Sequence, residues 1–134
     1  MGVKYLWDTN TVIYYLQKQF PEIVRNYIHG LLKSGFPTIS VVTELELLCW
    51  KTDSSDGTKV LNKFLNKAPI IELEQPIKLK TVEIRKEIKI KLPDAIIAAT
   101  AMVHKLTLIT RNAKDFDSMH ELKIINPWDI DNYK

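Results

Sequence analysis

Acidic side chains recur where apolar, strand-like segments of this chain end, or at the start of apolar segments. They are Asp8, Glu44, Glu46, Asp94, Asp115 and Asp117. Carboxylates gathered in one place repel each other, and their pKa values rise unless cations neutralise them. Hard oxygen ligands of this kind suit Mg²⁺ or Mn²⁺, and such ions support hydrolysis and phosphoryl transfer. The acids therefore predict a divalent-metal site, provided that the fold brings them together.

Each acid also has a purely structural interpretation. Asp8 suits the cap of a helix. Thr43 and Glu46 are three residues apart, as in a capping box. Asp94 follows Pro93 and would interact favourably with the positive end of a helix dipole, and Asp115 resembles an ordinary loop acid. Only convergence of the acids in space can separate these interpretations from a metal site.

The elements that must position these acids alternate between strands and helices. Strands are predicted at 3–7, 36–40, 69–73, 106–110 and within 122–127. Helices are predicted at 8–19, 20–35, 41–51, 58–68, over most of 76–91 and at 92–105, with a loop at 52–57. This alternation predicts an α/β domain with a parallel sheet, in which ligands bind beyond the carboxyl ends of the strands. The helix at 92–105 is apolar nearly all round, which predicts deep burial.

Composition narrows the class of protein. The chain has 134 residues, of which 46% are hydrophobic, and this predicts one domain, 1–134, with a proper core. Neither a signal-peptide core nor an apolar run of about 18 residues occurs, so no membrane span is expected. The single cysteine, Cys49, excludes an internal disulfide and suits the cytoplasm. A net charge of +3 is compatible with nucleic acid as a partner.

Other metal and nucleotide sites are not indicated. The three histidines lie far apart, without zinc-ligand spacing, and are expected to be structural or exposed: His29, His104 and His120. The chain has no glycine-rich phosphate loop, which disfavours nucleotide binding of the P-loop or dinucleotide type. An oxygen-ligand site therefore remains the main hypothesis.

Four segments of the chain resemble the PIN-domain ribonucleases, and among them the VapC-type toxins of toxin–antitoxin pairs. The segments are "LWDTNTVIYYL" (6–16), "ISVVTELELL" (39–48), "LPDAIIAATA" (92–101) and "LTLITRNAKDF" (106–116). Any one is a weak signal, but all four occur in order and span almost the whole chain. The resemblance implies a PIN-like three-layer domain whose parallel five-stranded sheet is flanked by helices.

The resemblance also assigns roles to individual residues. It implies catalytic, metal-binding acids at Asp8, Glu46, Asp94 and Asp115, with Thr110 and Asn112 as supporting polar residues. Glu46 is chosen over Glu44 because the family's Thr-x-x-Glu-Leu frame matches Thr43, Glu46 and Leu47. Many relatives have an Asp at the position of Asn112. The last site group is therefore open between Asp115, Asp117 and a water held by Asn112.

The activity implied is that of an Mg²⁺- or Mn²⁺-dependent endoribonuclease in which a metal-activated water attacks the phosphodiester. A small cognate antitoxin and a homodimer are the implied protein partners. Candidate RNA contacts are Lys89, Lys91, Arg111 and Lys114. Stacking on bases is conceivable for four aromatic residues, but core packing is expected: Trp7, Tyr14, Tyr15 and Trp50.

Two other functions stay open at this point. A catalytically inactive PIN-fold binding module would keep the fold and a partner groove without cleaving RNA. A receiver-like phosphoacceptor domain is also a small α/β domain with acids at strand ends. It is disfavoured because a lone acid, Asp8, follows the first strand here, whereas receivers usually have adjacent acids at that point.

Overall fold

The elements follow the predicted order in a computed structural model of the chain, which describes residues 4–51 and 54–129. The strands are β1 (Tyr5–Trp7), β2 (Ile39–Ser40), β3 (Ile70–Ile71), β4 (Thr107–Ile109) and β5 (Ile124–Ile125). The helices are α1 (Thr9–Leu16), α2 (Glu22–Leu32), α3 (Val41–Cys49), α4 (Ser55–Lys67), α5 (Gln75–Glu87) and α6 (Leu92–Val103), and a 3₁₀ turn spans Ala113–Phe116. The strands are shorter than predicted.

The loop predicted at 52–57 is wrong for residues 55–57, and residues 52–53 lie outside the described residues. Ser54 caps α4 here, because its side-chain oxygen accepts a hydrogen bond of 3.0 Å from the backbone N–H of Gly57. Serine favours this cap position, where its hydroxyl satisfies an otherwise unpaired helical donor. The helix therefore starts three residues earlier than the apolar pattern indicates.

All strand pairs are parallel, as predicted. The strands form a three-stranded part, ordered β1-β4-β5, and a two-stranded part, β2-β3. A bridge between Leu6 and Thr38 joins the parts, and the N–H of Trp7 donates to the carbonyl oxygen of Thr38 at 3.0 Å. The expected five strands are thus present in the order β3-β2-β1-β4-β5, as two parts joined between β1 and β2.

Side chains alternate between the two faces of these strands. Leu6 and Leu108 pack into a cluster with the buried residues of α5 and α6. Their neighbours Trp7 and Ile109 pack into a second cluster with α1, α2 and α4. This alternation follows from the two-residue period of a β-strand. The result is the three-layer arrangement of helices, sheet and helices.

Helix α6 is the most deeply buried helix, as its sequence predicts. Four of its alanines are completely buried: Ala95, Ala98, Ala99 and Ala101. Small side chains let the helix approach the sheet and α5 closely. Its first turn carries Asp94, which is thereby held at the edge of the core. Among the described residues no helix, α6 included, is long and apolar enough to cross a membrane.

Candidate active site

Asp8 connects the end of β1 to the start of α1. It caps α1, because its Oδ1 accepts a hydrogen bond of 2.8 Å from the N–H of Thr11. Its own N–H and the Thr11 hydroxyl both donate to the carbonyl oxygen of Ile109, each at 3.1 Å. The capping interpretation is therefore right, but it uses only one carboxylate oxygen. The other, Oδ2, accepts a hydrogen bond from the hydroxyl of Thr110.

The surroundings of Asp8 make its ionisation unfavourable overall. The residue is only 7% exposed, and this burial raises the pKa of its carboxyl above the ordinary value. Hydrogen bonds from Thr11 and Thr110 act in the opposite direction, while the nearby carboxylate of Glu46 adds a further increase. Asp8 therefore belongs to a group of interacting acids and is more than a helix cap.

Glu46 is brought to this group by α3, and it is held there from α1. The Thr9 hydroxyl donates a hydrogen bond of 2.6 Å to Oε1 of Glu46 and lies 3.0 Å from the hydroxyl of Thr43. The alternative interpretation of Thr43 and Glu46 as a capping box is wrong. Ser40 caps α3 instead, accepting from the N–H of Val42 at 3.0 Å. This leaves Glu46 with a contact across to α1.

Asp94 lies in the first turn of α6. Lys91 occupies the cap position without a side-chain cap hydrogen bond, and a proline, Pro93, stands in the first turn as its fixed φ favours. Asp94 is thus placed near the positive end of the helix dipole, as predicted. Its side chain is only partly buried and faces a cleft.

The electrostatics of Asp94 link the acids to one another. Burial raises the pKa of Asp94, and the carboxylates of Asp115, Glu46 and Asp8 raise it further, in that order. Lys91 opposes them and lowers it. Acids from three other segments of the chain thus act on the Asp94 carboxyl. This is the convergence that separates a functional cluster from isolated caps.

The acids border a cleft of about 890 Å³. It is lined by Asn10, Glu46, Arg85, Ile88, Lys89, Ile90, Lys91, Pro93, Asp94, Asn112, Lys114, Asp115 and Ser118. Three of the four predicted acids line it, and Asp8 lies within electrostatic reach of Asp94. Of the residues left open for the last site group, Asn112 and Asp115 line the cleft, whereas Asp117 and the rejected Glu44 do not.

Sequence reasoning missed Asn10, Arg85 and Ser118. A signal existed for Asn10, because it follows Asp8 by two residues at the start of a predicted helix. Arg85 belongs to the basic end of α5, which the sequence shows without telling which side chains turn towards the acids. Ser118 follows the 3₁₀ turn, whose path past the cleft the sequence does not predict.

The side chains suit a hydrated Mg²⁺ or Mn²⁺ ion. Within 4–51 and 54–129, no three acidic, histidine or cysteine side chains form a ready-made metal cage. Mg²⁺ does not need one, because it keeps several waters and is commonly held by one or two carboxylates. The donors are all oxygens, and the repulsion that raises the pKa of Asp94 is what a cation would relieve.

Arg111 and the aromatic residues lie elsewhere. Arg111 was a candidate RNA contact, but its guanidinium lies over the rings of Tyr14 and Trp128 and is not part of the cleft lining. Core packing of the aromatic residues is confirmed. Trp7 is buried, and Tyr14, Tyr15 and Trp50 pack against the same apolar cluster.

The sequence matches the model of the PIN domain over residues 5–122. The chain therefore belongs to the PIN-domain family, which confirms the resemblance and removes the receiver-like alternative. It is 29% identical over 133 residues to Ribonuclease VapC2 of Rickettsia felis, covering 93% of this chain and 98% of that protein.

Solved structures give the same assignment. The chain superposes on a toxin–antitoxin complex from Klebsiella pneumoniae with a TM-score of 0.72 and 31% identity, over 92% of this chain and 98% of that chain. It superposes on DNA-bound VapBC from Salmonella typhimurium with a TM-score of 0.79 and 25% identity, over 94% and 99%. These are relatives of this protein, similar over nearly their whole length.

Proposed function

We propose that this protein is a divalent-metal-dependent endoribonuclease and the toxin of a toxin–antitoxin pair, acting as a single domain in the cytoplasm. The convergence of Glu46, Asp94 and Asp115 at one cleft, with Asp8 within electrostatic reach and basic residues beside them, carries the proposal. Membership of the PIN family and similarity to Ribonuclease VapC2 support it. An inactive binding module has no need to keep several mutually repelling acids together, so we rank it second.

In this proposal the four acids, Asp8, Glu46, Asp94 and Asp115, hold Mg²⁺ or Mn²⁺. The ion supplies a lowered pKa for water and stabilisation of charge on the phosphate oxygens. The chain's own contribution is orientation. Thr110 donates to Asp8, which fixes that carboxylate and favours its charged form. The Thr9 hydroxyl donates to Glu46 and fixes its orientation, so that two acids are oriented before RNA arrives.

The RNA backbone is proposed to follow the segment between α5 and α6. Ile88, with φ −128° and ψ 137°, and Lys91, with φ −67° and ψ 147°, are both extended. Ile88 and Ile90 pack against the core, while Lys89 and Lys91 are exposed. In an extended chain, alternate side chains lie roughly 6.6 Å apart on one face. The segment thus presents two positive charges in a row beside the acids.

A cognate antitoxin and a second copy of the chain are the proposed protein partners. The solved relatives from Klebsiella pneumoniae and Salmonella typhimurium are a toxin–antitoxin complex and a VapBC complex, which supports a small antitoxin here. Leu45 and Leu48, 56% and 57% exposed on α3, offer an apolar surface for a homodimer. Light scattering of the purified chain measures whether it is dimeric.

The proposed activity is tested by incubating the purified protein with labelled single-stranded RNA, with Mg²⁺, with Mn²⁺, or with EDTA. Cleavage that needs the ion and returns when it is restored is the expected result. Binding of RNA or of an antitoxin without any cleavage would favour the inactive module instead.

The RNA path is tested separately by salt dependence. Each phosphate contact to a single strand contributes about 0.7 to the slope of log K against log[salt], so loss of two contacts lowers the slope by about 1.4. Lys89→Ala with Lys91→Ala is expected to do this. Lys63→Ala with Lys78→Ala, which removes two exposed lysines outside the cleft lining, is the matched control. Equal slopes for both pairs would rule out this path.

A further inference from the structure

Arg111 sits between two site residues, Thr110 and Asn112, yet its side chain is held outside the cleft. Its Nη1 donates a hydrogen bond of 2.9 Å to the Tyr14 hydroxyl. Its guanidinium carbon lies 5.7 Å from the centre of the Tyr14 ring and 5.2 Å from that of the Trp128 ring. These are distances for cation–π attraction. Arg111 is thus engaged by two aromatic rings before any substrate binds.

The backbone of Arg111 is held by the same side of the molecule. The Asn126 side-chain amide donates to the carbonyl oxygen of Arg111 at 3.3 Å, and its oxygen accepts from the N–H of Trp128 at 2.9 Å. Tyr14 and Trp128 pack against each other with ring centres 5.1 Å apart. We call Arg111, Tyr14, Asn126 and Trp128 the Arg111 clasp.

The clasp completes a closed ring of contacts that includes Asp8. Tyr14 lies on α1, the helix that Asp8 caps, roughly 9 Å further along its axis. Thr110, next to Arg111, donates to Asp8, and the N–H of Asn112 donates to Thr110 at 3.0 Å. The segment 110–112 is therefore tied to α1 twice, once inside the site and once outside. A segment tied at two points cannot rotate about either one.

We propose that Arg111 is a positioning residue whose clasp keeps the Thr110 hydroxyl on Asp8 and keeps Asn112 at the cleft. This replaces the expectation that Arg111 contacts RNA, and its kinetic part rests on the proposed nuclease function. The site needs arginine rather than lysine, because a planar guanidinium stacks on aromatic rings while donating a hydrogen bond in its plane. A lysine keeps the charge but loses that combination.

The kinetic test compares Arg111→Lys with Lys114→Ala, which removes a basic residue that does line the cleft. Small misplacement of site groups can cost on the order of 100-fold in rate, so kcat of Arg111→Lys is expected to fall about 10- to 100-fold. KM and the salt slope of RNA binding stay unchanged. Lys114→Ala is expected to raise KM and to lower the slope by about 0.7.

A second variant shows whether Arg111 acts through Tyr14. Tyr14→Phe keeps the ring and removes the hydroxyl, so kcat is expected to fall less than in Arg111→Lys. The double variant should be no slower than Arg111→Lys alone, because both changes break one tie. Multiplicative losses would mean that the two residues act separately and would overturn the clasp.

A measurement without RNA separates this inference from the nuclease proposal. Hydrogen exchange at the Asn112 amide, which donates to Thr110, should be faster in Arg111→Lys than in the wild type, with little change in melting temperature. A wild type that cleaves no RNA removes the nuclease proposal but leaves this result to decide the clasp. Normal exchange with normal kcat in Arg111→Lys overturns the clasp. Raised KM with a lowered salt slope in Arg111→Ala, rescued by Arg111→Lys, makes Arg111 an RNA contact and overturns it equally.

Discussion

The acidic cleft and the Arg111 clasp both include residues of α1 and of the segment after β4, but their interactions differ. Asp94 in the cleft and Asp8 near it have raised pKa values because burial and neighbouring acids disfavour their charges. In the clasp, the Arg111 charge is matched by ring faces and a hydroxyl. The cleft therefore contains carboxylate charges that repel each other, whereas the Arg111 charge is stabilised by the residues of the clasp. Repelling carboxylates favour the binding of a cation, and a charge that already has its partners favours a rigid support.

The largest effect is expected from Asp94→Asn, which removes one charge from the cleft at almost constant volume. Cleavage of RNA is expected to fall about 100-fold or more, the scale for losing one transition-state-stabilising group. Stability should hardly fall. If Asp94 served only the helix dipole, the change would cost about 0.3–1 kcal/mol of stability and leave activity intact. A cleavage assay and a thermal melt of the same preparation distinguish the two cases.

Two glutamates of α3, Glu46 and Glu44, can be compared to test which of them belongs to the metal site. Glu46→Gln is expected to abolish RNA cleavage with a nearly normal melt, because the amide oxygen still accepts from Thr9 but carries no charge. Glu44→Gln, on the same helix but outside the cleft lining, should remain active. The reverse pattern would mean that the match to the family's Thr-x-x-Glu-Leu pattern is wrong by two residues. If both variants stay active, neither glutamate is needed for catalysis.

Divalent ions should stabilise the cleft and leave the clasp unaffected. Ligand at 100 times its Kd stabilises a folded protein by about 2.7 kcal/mol. Melts with and without Mn²⁺ at constant ionic strength should show a rise in Tm for the wild type and a smaller rise for Asp94→Asn. Arg111→Lys should keep a rise close to that of the wild type. Equal shifts in all three proteins would mean that the ion binds elsewhere.

The smallest effect is a pH dependence in metal-free protein. The folded-state pKa of Asp94 lies above the ordinary value of 3.8, so the folded protein binds this proton more tightly than the unfolded chain does. Stability from this group is therefore greatest at low pH and is lost as pH rises from 3.8 through the raised pKa. Asp94→Asn should lack this component. Unfolding free energies of both proteins at several pH values measure it, and parallel curves would count against the raised pKa.

Much of the fold was predictable, because strand and helix periods are written in local sequence. Apolar runs and their spacing predicted the order of all five strands and six helices. The same pattern correctly predicted that Ala95–Ala101 lies in a buried helix. Boundaries were less predictable. Ser54 caps a helix that the apolar pattern starts three residues later, since a cap depends on one hydroxyl and not on a periodic pattern.

The candidate site was predictable in its acids but not in its supports. Asp8, Glu46, Asp94 and Asp115 came from a family pattern, and the choice of Glu46 could not be made from helix geometry. The Thr9 contact that holds Glu46 joins α1 to α3 and has no local signal. The role proposed for Arg111 depends on its contact with Trp128, which is distant in sequence and gives no local signal, so the sequence predicted only an RNA contact there.

The junction between the two parts of the sheet separates the segments that carry the acids. Asp8 and Asp115 follow β1 and β4 of the three-stranded part, whereas Glu46 follows β2 in the two-stranded part. The backbone bridge between Leu6 and Thr38 joins the two parts within the sheet. The Thr9 hydroxyl joins α1 to α3 across the same junction, next to the acids. Thr9 therefore holds Glu46 in place relative to α1. The distance between Glu46 and Asp8 is therefore set across this junction, and the Thr9 hydroxyl helps to fix it.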